Sequence, residues 1–314
     1  MEILFQTLGG IGGIALLYFG AEFLIKGGVS IALKLKVPAL IIGLTLVAFG
    51  TSAPELVVSI DASLKGSGDI SIGNVVGSNI CNIALILGLS ALIAPLTVQK
   101  KLLRFDMPIL IISSIVLSLF CWLSNGVTRW QGAIFFASII AYTVYSIYDG
   151  KKSGADENDD VSNSKIYPHI VSVLFVIGGL AGLIIGAKLF VNAAVFAASA
   201  MGVSDAVIGL TIVALGTSLP ELATSVVAAF KGEQDIAIGN VVGSNIFNIF
   251  CILGIAPLIS PIHAPGINMV DMGTMLFITL ALFPIMRSGW KISRSEGAFF
   301  LLIYCAYTVY LFMK

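Results

Sequence analysis

The sequence predicts an all-α membrane protein: ten transmembrane helices forming two inverted five-helix repeats within a single domain, residues 1–314. Three observations carry this. The chain is 58% hydrophobic and only 11% charged, with a mean hydropathy of +1.03. Its charges gather between apolar runs long enough to cross a bilayer. A block in the first half also returns in the second at a constant offset. Gly43 matches Gly209, Glu55 matches Glu221 and Pro95 matches Pro261, each pair 166 residues apart.

The runs lie near residues 8–25, 39–63, 70–94, 106–123 and 131–148 in the first repeat (1–148). In the second (169–314) they lie near 169–191, 205–229, 236–259, 269–286 and 296–313. Five spans separate one copy from the next, so the second enters the membrane from the opposite face, as in alternating-access carriers. The first run follows Met1-Glu2-Ile3, with no positive n-region and no convincing cleavage site, and reads as a retained span. Joints are short apart from the linker 149–168, rich in Asp, Lys, Ser and Asn. Asp156, Asn158 and Asp160 in it have calcium-loop spacing. However, Val161 stands where such a loop needs glycine, and Tyr167 where it needs a bidentate glutamate. The linker is read as a solvated hinge.

Basic residues set the orientation. With the N-terminus outside, all but four of the 17 Lys and Arg residues fall on the cytoplasmic side, leaving Lys65, Arg129, Lys188 and Lys314 outside. This predicts a cell-membrane protein with both termini extracellular and the linker cytoplasmic. The formal net charge is zero and no basic block stands out, which argues against nucleic acid as a partner. Cys81, Cys121, Cys251 and Cys305 fall inside apolar runs without metal-ligand or disulfide spacing, as small packed hydrophobes do. There is no His-Glu-x-x-His, nucleophile elbow or phosphate-binding loop. Neither an enzyme nor a bound cofactor is expected.

The chemistry sits in the second and seventh runs. Gly50-Thr51-Ser52-Ala53-Pro54-Glu55 reappears as Gly216-Thr217-Ser218-Leu219-Pro220-Glu221. A carboxylate at mid-membrane depth is costly and marks function, with a partner close by. Neither segment holds a Lys, Arg or His at that depth, so the missing partner reads as a cation, taken up and released. Pro54 lacks an N–H, so the Gly50 carbonyl loses its helical partner and the helix bends. Ala48, Thr51, Glu55 and Ser59 share one helical face, as do Ala214, Thr217, Glu221 and Ser225. Hard cations want such oxygens, and calcium takes about six to eight.

The third and eighth runs open with Gly73-Asn74-Val75-Val76-Gly77-Ser78-Asn79-Ile80-Cys81-Asn82 and Gly239-Asn240-Val241-Val242-Gly243-Ser244-Asn245-Ile246-Phe247-Asn248. Glycines four apart let backbones approach. Asn74, Ser78 and Asn82, with their twins Asn240, Ser244 and Asn248, form a neutral oxygen-bearing stripe suited to sodium or to the remaining calcium positions. Asn79 and Asn245 lie one residue off it and read as interhelical hydrogen-bonders. Asp69 and Asp235 read as N-caps, and Glu22 and Lys188 as snorkelling side chains.

These paired segments resemble the two alpha-repeats of the calcium/cation antiporter superfamily, and most closely its sodium/calcium exchanger branch. The resemblance covers all ten spans. It implies a calcium site made by Glu55 and Glu221 with the carbonyls of Thr51 and Thr217. It further implies sodium sites drawing on Ala48, Ser52, Ser78 and Asn82, and on Ala214, Ser218, Ser244 and Asn248. It also implies that the first and sixth spans slide past the rest, contacts that Gly9, Gly10, Gly12 and Gly13 and Gly178, Gly179, Gly182 and Gly186 would suit. Some relatives carry aspartate where Asn248 stands. Here both central positions are amides, so two ionised glutamates set a fixed charge that one calcium or two sodium ions balance. The linker is too short for the cytosolic regulatory domain of animal exchangers.

The expected function is therefore a secondary active antiporter exchanging Ca2+ for Na+ by alternating access at a midplane site, with a monomeric transport unit in the lipid bilayer. The alternatives are a calcium or other cation exchanger coupled to H+, in which protonation of the glutamates replaces sodium, and a cation channel that binds without alternating.

Overall fold

The computed structural model describes residues 2–153, 165–202, 212, 214–267 and 269–313. The Asp156–Asp160 segment, Gly209 and the opening of the seventh predicted run lie outside these residues.

Helix α1 (Glu2–Leu35) has 34 residues and α7 (His169–Ala200) has 32. At 1.5 Å per residue each is about 50 Å long, well beyond the ~30 Å hydrocarbon core. Both outrun the predicted spans. The α1 helix continues through Lys26 because that ammonium sits 2.8 Å from Glu22 Oε1, one turn back. It ends where Lys36 turns left-handed (φ 53°) and the Val37 N–H reaches back to the Ala32 carbonyl at 3.0 Å, just before Pro38. The two helices pack along glycines. A Cβ at Gly13 would stand 2.8 Å from the Gly186 carbonyl, one at Gly20 2.8 Å from the Leu183 amide, and one at Gly27 2.8 Å from the Ser172 carbonyl. These three are seven residues apart and form one stripe. Gly10 joins it, at 3.1 Å from Ala193 Cβ, but Gly9, Gly12 and Gly178 meet nothing within 4 Å among the described residues.

The second run is a broken helix. α2 (Ala39–Thr51, with a π turn at Gly43–Val47) and α3 (Ala53–Leu64) meet at Ser52 with a 46° bend. In the seventh run, α8 (Ala214–Gly216) and α9 (Leu219–Phe230) flank Ser218. Their hinges match: Ser52 has φ −81°, ψ 5° and Ser218 φ −87°, ψ 4°. Each proline thus falls in the first turn of a new helix, where its missing N–H costs nothing.

α4 (Gly68–Ile93) and α10 (Gln234–Ile259) form the centre. Of their most apolar stretches 72% and 78% of residues are buried, against 11–33% in the other long spans. Each carries a π turn, at Cys81–Leu87 and Asn248–Ile252. α10 meets α2 closely: a Cβ at Gly239 would lie 2.9 Å from the Leu40 carbonyl, and one at Gly243 2.6 Å from that of Leu44. α5 (Leu102–Ser124), α6 (Arg129–Ser153), α11 (Met269–Arg287) and α12 (Arg294–Met313) complete the bundle. Among the described residues eight helices are long and apolar enough to cross a membrane, or nine with α2 and α3 taken as one span.

Two short ribbons join the halves. β1 (Leu96–Thr97) pairs antiparallel with β4 (Lys291–Ile292), and β2 (Gly126–Val127) with β3 (Ile262–His263). Gly126, at φ 148°, is required there because a Cβ would collide with the Ile262 carbonyl. Asp69 and Asp235 also tie the halves and stand one residue or more inside their helices, past the N-cap positions expected of them. Asp69 Oδ1 accepts the Gly266 N–H at 2.8 Å, and Asp235 Oδ2 accepts from Gln99 Nε2 at 2.5 Å. The cap positions belong to Ser67 and Glu233. Glu22 does not snorkel: it is held by Lys26 and by Lys231 across the bundle.

Candidate ion-binding site

Glu55 opens α3 and Glu221 opens α9, each in the first turn beside its proline. There the unpaired amide ends of the half-helix favour negative charge. Both side chains are 0% exposed, and among the described residues neither takes part in a salt bridge. What holds them is reciprocal hydrogen bonding across the halves. Ser52 Oγ donates to Glu221 Oε1 at 2.9 Å, and Ser218 Oγ donates to Glu55 Oε1 at 3.1 Å. Each hinge serine thus binds the opposite half's carboxylate, which brings the two motifs to one place.

A second pair of matched bonds braces the half-helices. Asn74 Nδ2 donates to the Glu55 carbonyl at 3.1 Å and to Ser59 Oγ at 2.9 Å. Asn240 Nδ2 donates to the Glu221 carbonyl at 3.3 Å and to Ser225 Oγ at 2.9 Å. Asn74 and Asn240, read from sequence as part of an oxygen-bearing stripe, therefore act as struts. Asn240 Oδ1 also accepts from Thr51 Oγ1 at 3.0 Å.

The central amides are locked in the same reciprocal way. Asn82 Nδ2 donates to Asn245 Oδ1 at 3.1 Å, and Asn248 Nδ2 to Asn79 Oδ1 at 3.0 Å. Asn79 and Asn245 are the interhelical hydrogen-bonders expected. Their grip on the amide nitrogens leaves the oxygens of Asn82 and Asn248 free.

Six buried side-chain oxygens on residues of the expected set have no hydrogen-bond partner among the described residues: Glu55 Oε2, Glu221 Oε2, Asn82 Oδ1, Asn248 Oδ1, Ser244 Oγ and Thr217 Oγ1, the last on a residue expected to bind through its carbonyl. Leaving buried acceptors bare costs about 1–3 kcal/mol each, more when they are charged. Four of the six, on the glutamates and asparagines, are bare acceptors, and the two hydroxyls have lone pairs to offer as well, an arrangement a desolvated hard cation satisfies. Ser78 is buried, with its oxygen 3.4 Å from Ser218 Oγ. Ala48 is the least free of the set. Its carbonyl already accepts the Ser52 N–H at 3.0 Å and the Thr51 hydroxyl at 3.3 Å. Ala214 begins α8, directly before the hinge.

Sequence reasoning missed one further matched pair. Tyr142 donates to Asp106 Oδ1 and Tyr307 to Asp271 Oδ1, both at 2.9 Å, tying α5 to α6 and α11 to α12. The signal was a common spacing of 36 residues within each half. It was hidden because the offset between halves falls from 166 to 165 after Pro261.

The sequence pattern of the family described as "Sodium/calcium exchanger protein" matches residues 5–148 and again residues 171–313. The chain is 39% identical to the putative antiporter CaxA of Alkalimonas amylolytica over 96% of both chains. It is 36% identical to the sodium/calcium exchanger MaX1 of Methanosarcina acetivorans, again over 96% of both. Its fold superposes on the solved sodium-calcium exchanger NCX_Mj with a TM-score of 0.85 at 33% identity, covering 98% of this chain and 99% of that one. A multi-pass membrane chain whose two halves each match one family, and whose relatives align end to end, belongs to that family: this protein is a member of the sodium/calcium exchanger family.

Proposed function

We propose that the chain is a secondary active antiporter that exchanges Ca2+ for Na+ across the cell membrane. In this reading its ten spans form two inverted repeats, 1–148 and 169–314, joined by a cytoplasmic linker. The observation that carries the reading is the pair of wholly buried carboxylates with no basic partner among the described residues, beside unpartnered oxygens. Calcium binds between Glu55 and Glu221 with the carbonyls of Thr51 and Thr217. Sodium uses Ala48, Ser52, Ser78 and Asn82 and the twin set Ala214, Ser218, Ser244 and Asn248. Sodium and calcium have similar radii, so one cavity takes either, and charge and ligand number discriminate between them.

Obligatory exchange follows from electrostatics. Two uncompensated carboxylates in a desolvated site resist burial, so the empty carrier reorients poorly, whereas one calcium or two sodium ions cancel the charge. The carrier therefore turns over only when loaded, and one ion's gradient drives the other.

Labelled-calcium uptake into reconstituted vesicles tests this. Sodium-loaded vesicles in sodium-free medium should accumulate calcium, and collapsing the sodium gradient should abolish uptake. Uptake driven by a pH gradient without sodium would establish proton coupling instead. Uptake indifferent to any counter-ion would mean a channel.

A further inference from the structure

The two half-helices that carry the glutamates end differently. Lys231 stands at the C-cap of α9, with Nζ 2.9 Å from Glu22 Oε1 on α1, and the same oxygen takes Lys26 Nζ at 2.8 Å. The Glu22 side chain is 16% exposed and that of Lys231 33%, so the tie is only partly screened by water. A Glu22–Lys26 pair alone would be an ordinary contact within one helix. Lys231 makes it a bond between α1 and the helix bearing Glu221.

The repeat supplies an internal control. An offset of 166 carries Lys231 to Lys65 and Glu22 to Lys188, so the equivalent pairing sets cation against cation. Lys65, at the C-cap of α3, turns back to Asp61 on its own helix at 2.6 Å. Among the described residues no carboxylate lies within 4 Å of Lys188. Packing follows the charges: α1 lies along α9, whereas α7 barely touches α3.

We propose that Glu22 and Lys231 are positioning residues of the transport cycle. Their ion pair latches α1 to the end of the Glu221 half-helix and seals the site on the Lys231 side. The opposite side, which carries Lys188 and Lys65 at the matching positions, has no latch. The resting carrier is therefore closed on the Lys231 side and opens first on the other. This rests on the alternating-access reading given above.

The test is the apparent calcium affinity from each side of vesicles sorted by the orientation of the inserted chain. Glu22→Gln and Lys231→Gln should each tighten it from the Lys231 side by about two- to fivefold, the shift expected from one partly exposed ion pair acting on a two-state equilibrium, and weaken it by less from the other, which the resting carrier already favours. Exchanging the charges, Glu22→Lys with Lys231→Glu, should restore wild-type sidedness. Lys188→Glu, which puts a carboxylate at the position matching Glu22, opposite the repeat equivalent of Lys231, should move both affinities in the opposite sense. Equal changes on both sides, or a charge exchange no better than the single variants, would reduce the pair to a structural contact and overturn the latch. A wild type that transports while every variant keeps its sidedness overturns the latch alone. A wild type that takes calcium from neither side overturns the exchanger reading and the latch with it.

Discussion

At the scale of single residues, the site works by subtraction. The donors that reach the two glutamates and the central amides are committed: the hinge serines to the opposite carboxylates, Asn74 and Asn240 to the backbone, and the amide nitrogens of Asn82 and Asn248 to each other's neighbours. The second oxygens of both glutamates and the amide oxygens of Asn82 and Asn248 are left bare. Glu55→Gln and Glu221→Gln keep the shape and the serine contact but remove a negative charge. Each should lower calcium affinity at least about 100-fold, because hydrogen bonds and contacts to a charged group are worth several kcal/mol once desolvated. Size-exclusion profiles and helix content should stay those of the wild type. Full transport by either variant would remove that residue from the site. The two glutamates were legible in the sequence because a carboxylate beside a proline in an apolar run, repeated in register, has little else to be. The struts were not. An asparagine one helical turn from a ligand looks the same whether its oxygen faces an ion or its nitrogen holds a carbonyl, and only the fold decides.

At the scale of elements, two devices matter: the broken helices and the glycine seam. Pro54 and Pro220 predicted the breaks. Their placement in the first turn of α3 and α9 shows a new helix starting at each proline, which sets a half-helix amino end under each glutamate. The glycines of the first and sixth spans also predicted close packing, but sequence alone named the wrong members in part. Gly9 and Gly12 meet nothing within 4 Å among the described residues, and Gly20 and Gly27 carry the seam further along, since which glycines face the partner helix is decided only when the two are packed together. Valine at Gly13 or Gly20 would drive its side chain into the α7 backbone. It should cost about 1–3 kcal/mol through overpacking and cut exchange sharply, read as a lower turnover in vesicles and a lower melting temperature in detergent. Valine at Gly12, with nothing within 4 Å, should leave both unchanged. Equal effects at Gly12 and Gly13 would mean that the seam is not what the substitution disturbs.

At the scale of the whole molecule, matched contacts recur across the halves while a few places break the match. The paired hinge serines, asparagine struts, amide locks and Asp–Tyr ties follow the repeat. Glu22 with Lys231, set against Lys188 with Lys65, does not. The ribbons β1–β4 and β2–β3 and the Asp69 and Asp235 ties were invisible in sequence, because two-residue strands and side-chain clips depend on which joints the fold brings together. The membrane class and the exchanger family were legible because an apolar period and a duplicated motif are properties of sequence itself.

The central claim is that a calcium ion sits between the carboxylates of Glu55 and Glu221. Anomalous diffraction from crystals of this protein soaked in calcium, and in strontium as a heavier stand-in, tests it most directly. The account predicts one strong peak within about 2.3–2.6 Å of oxygens from both glutamates, weakened by raising sodium. No peak there, or a peak held by one glutamate alone or by neither, would contradict it.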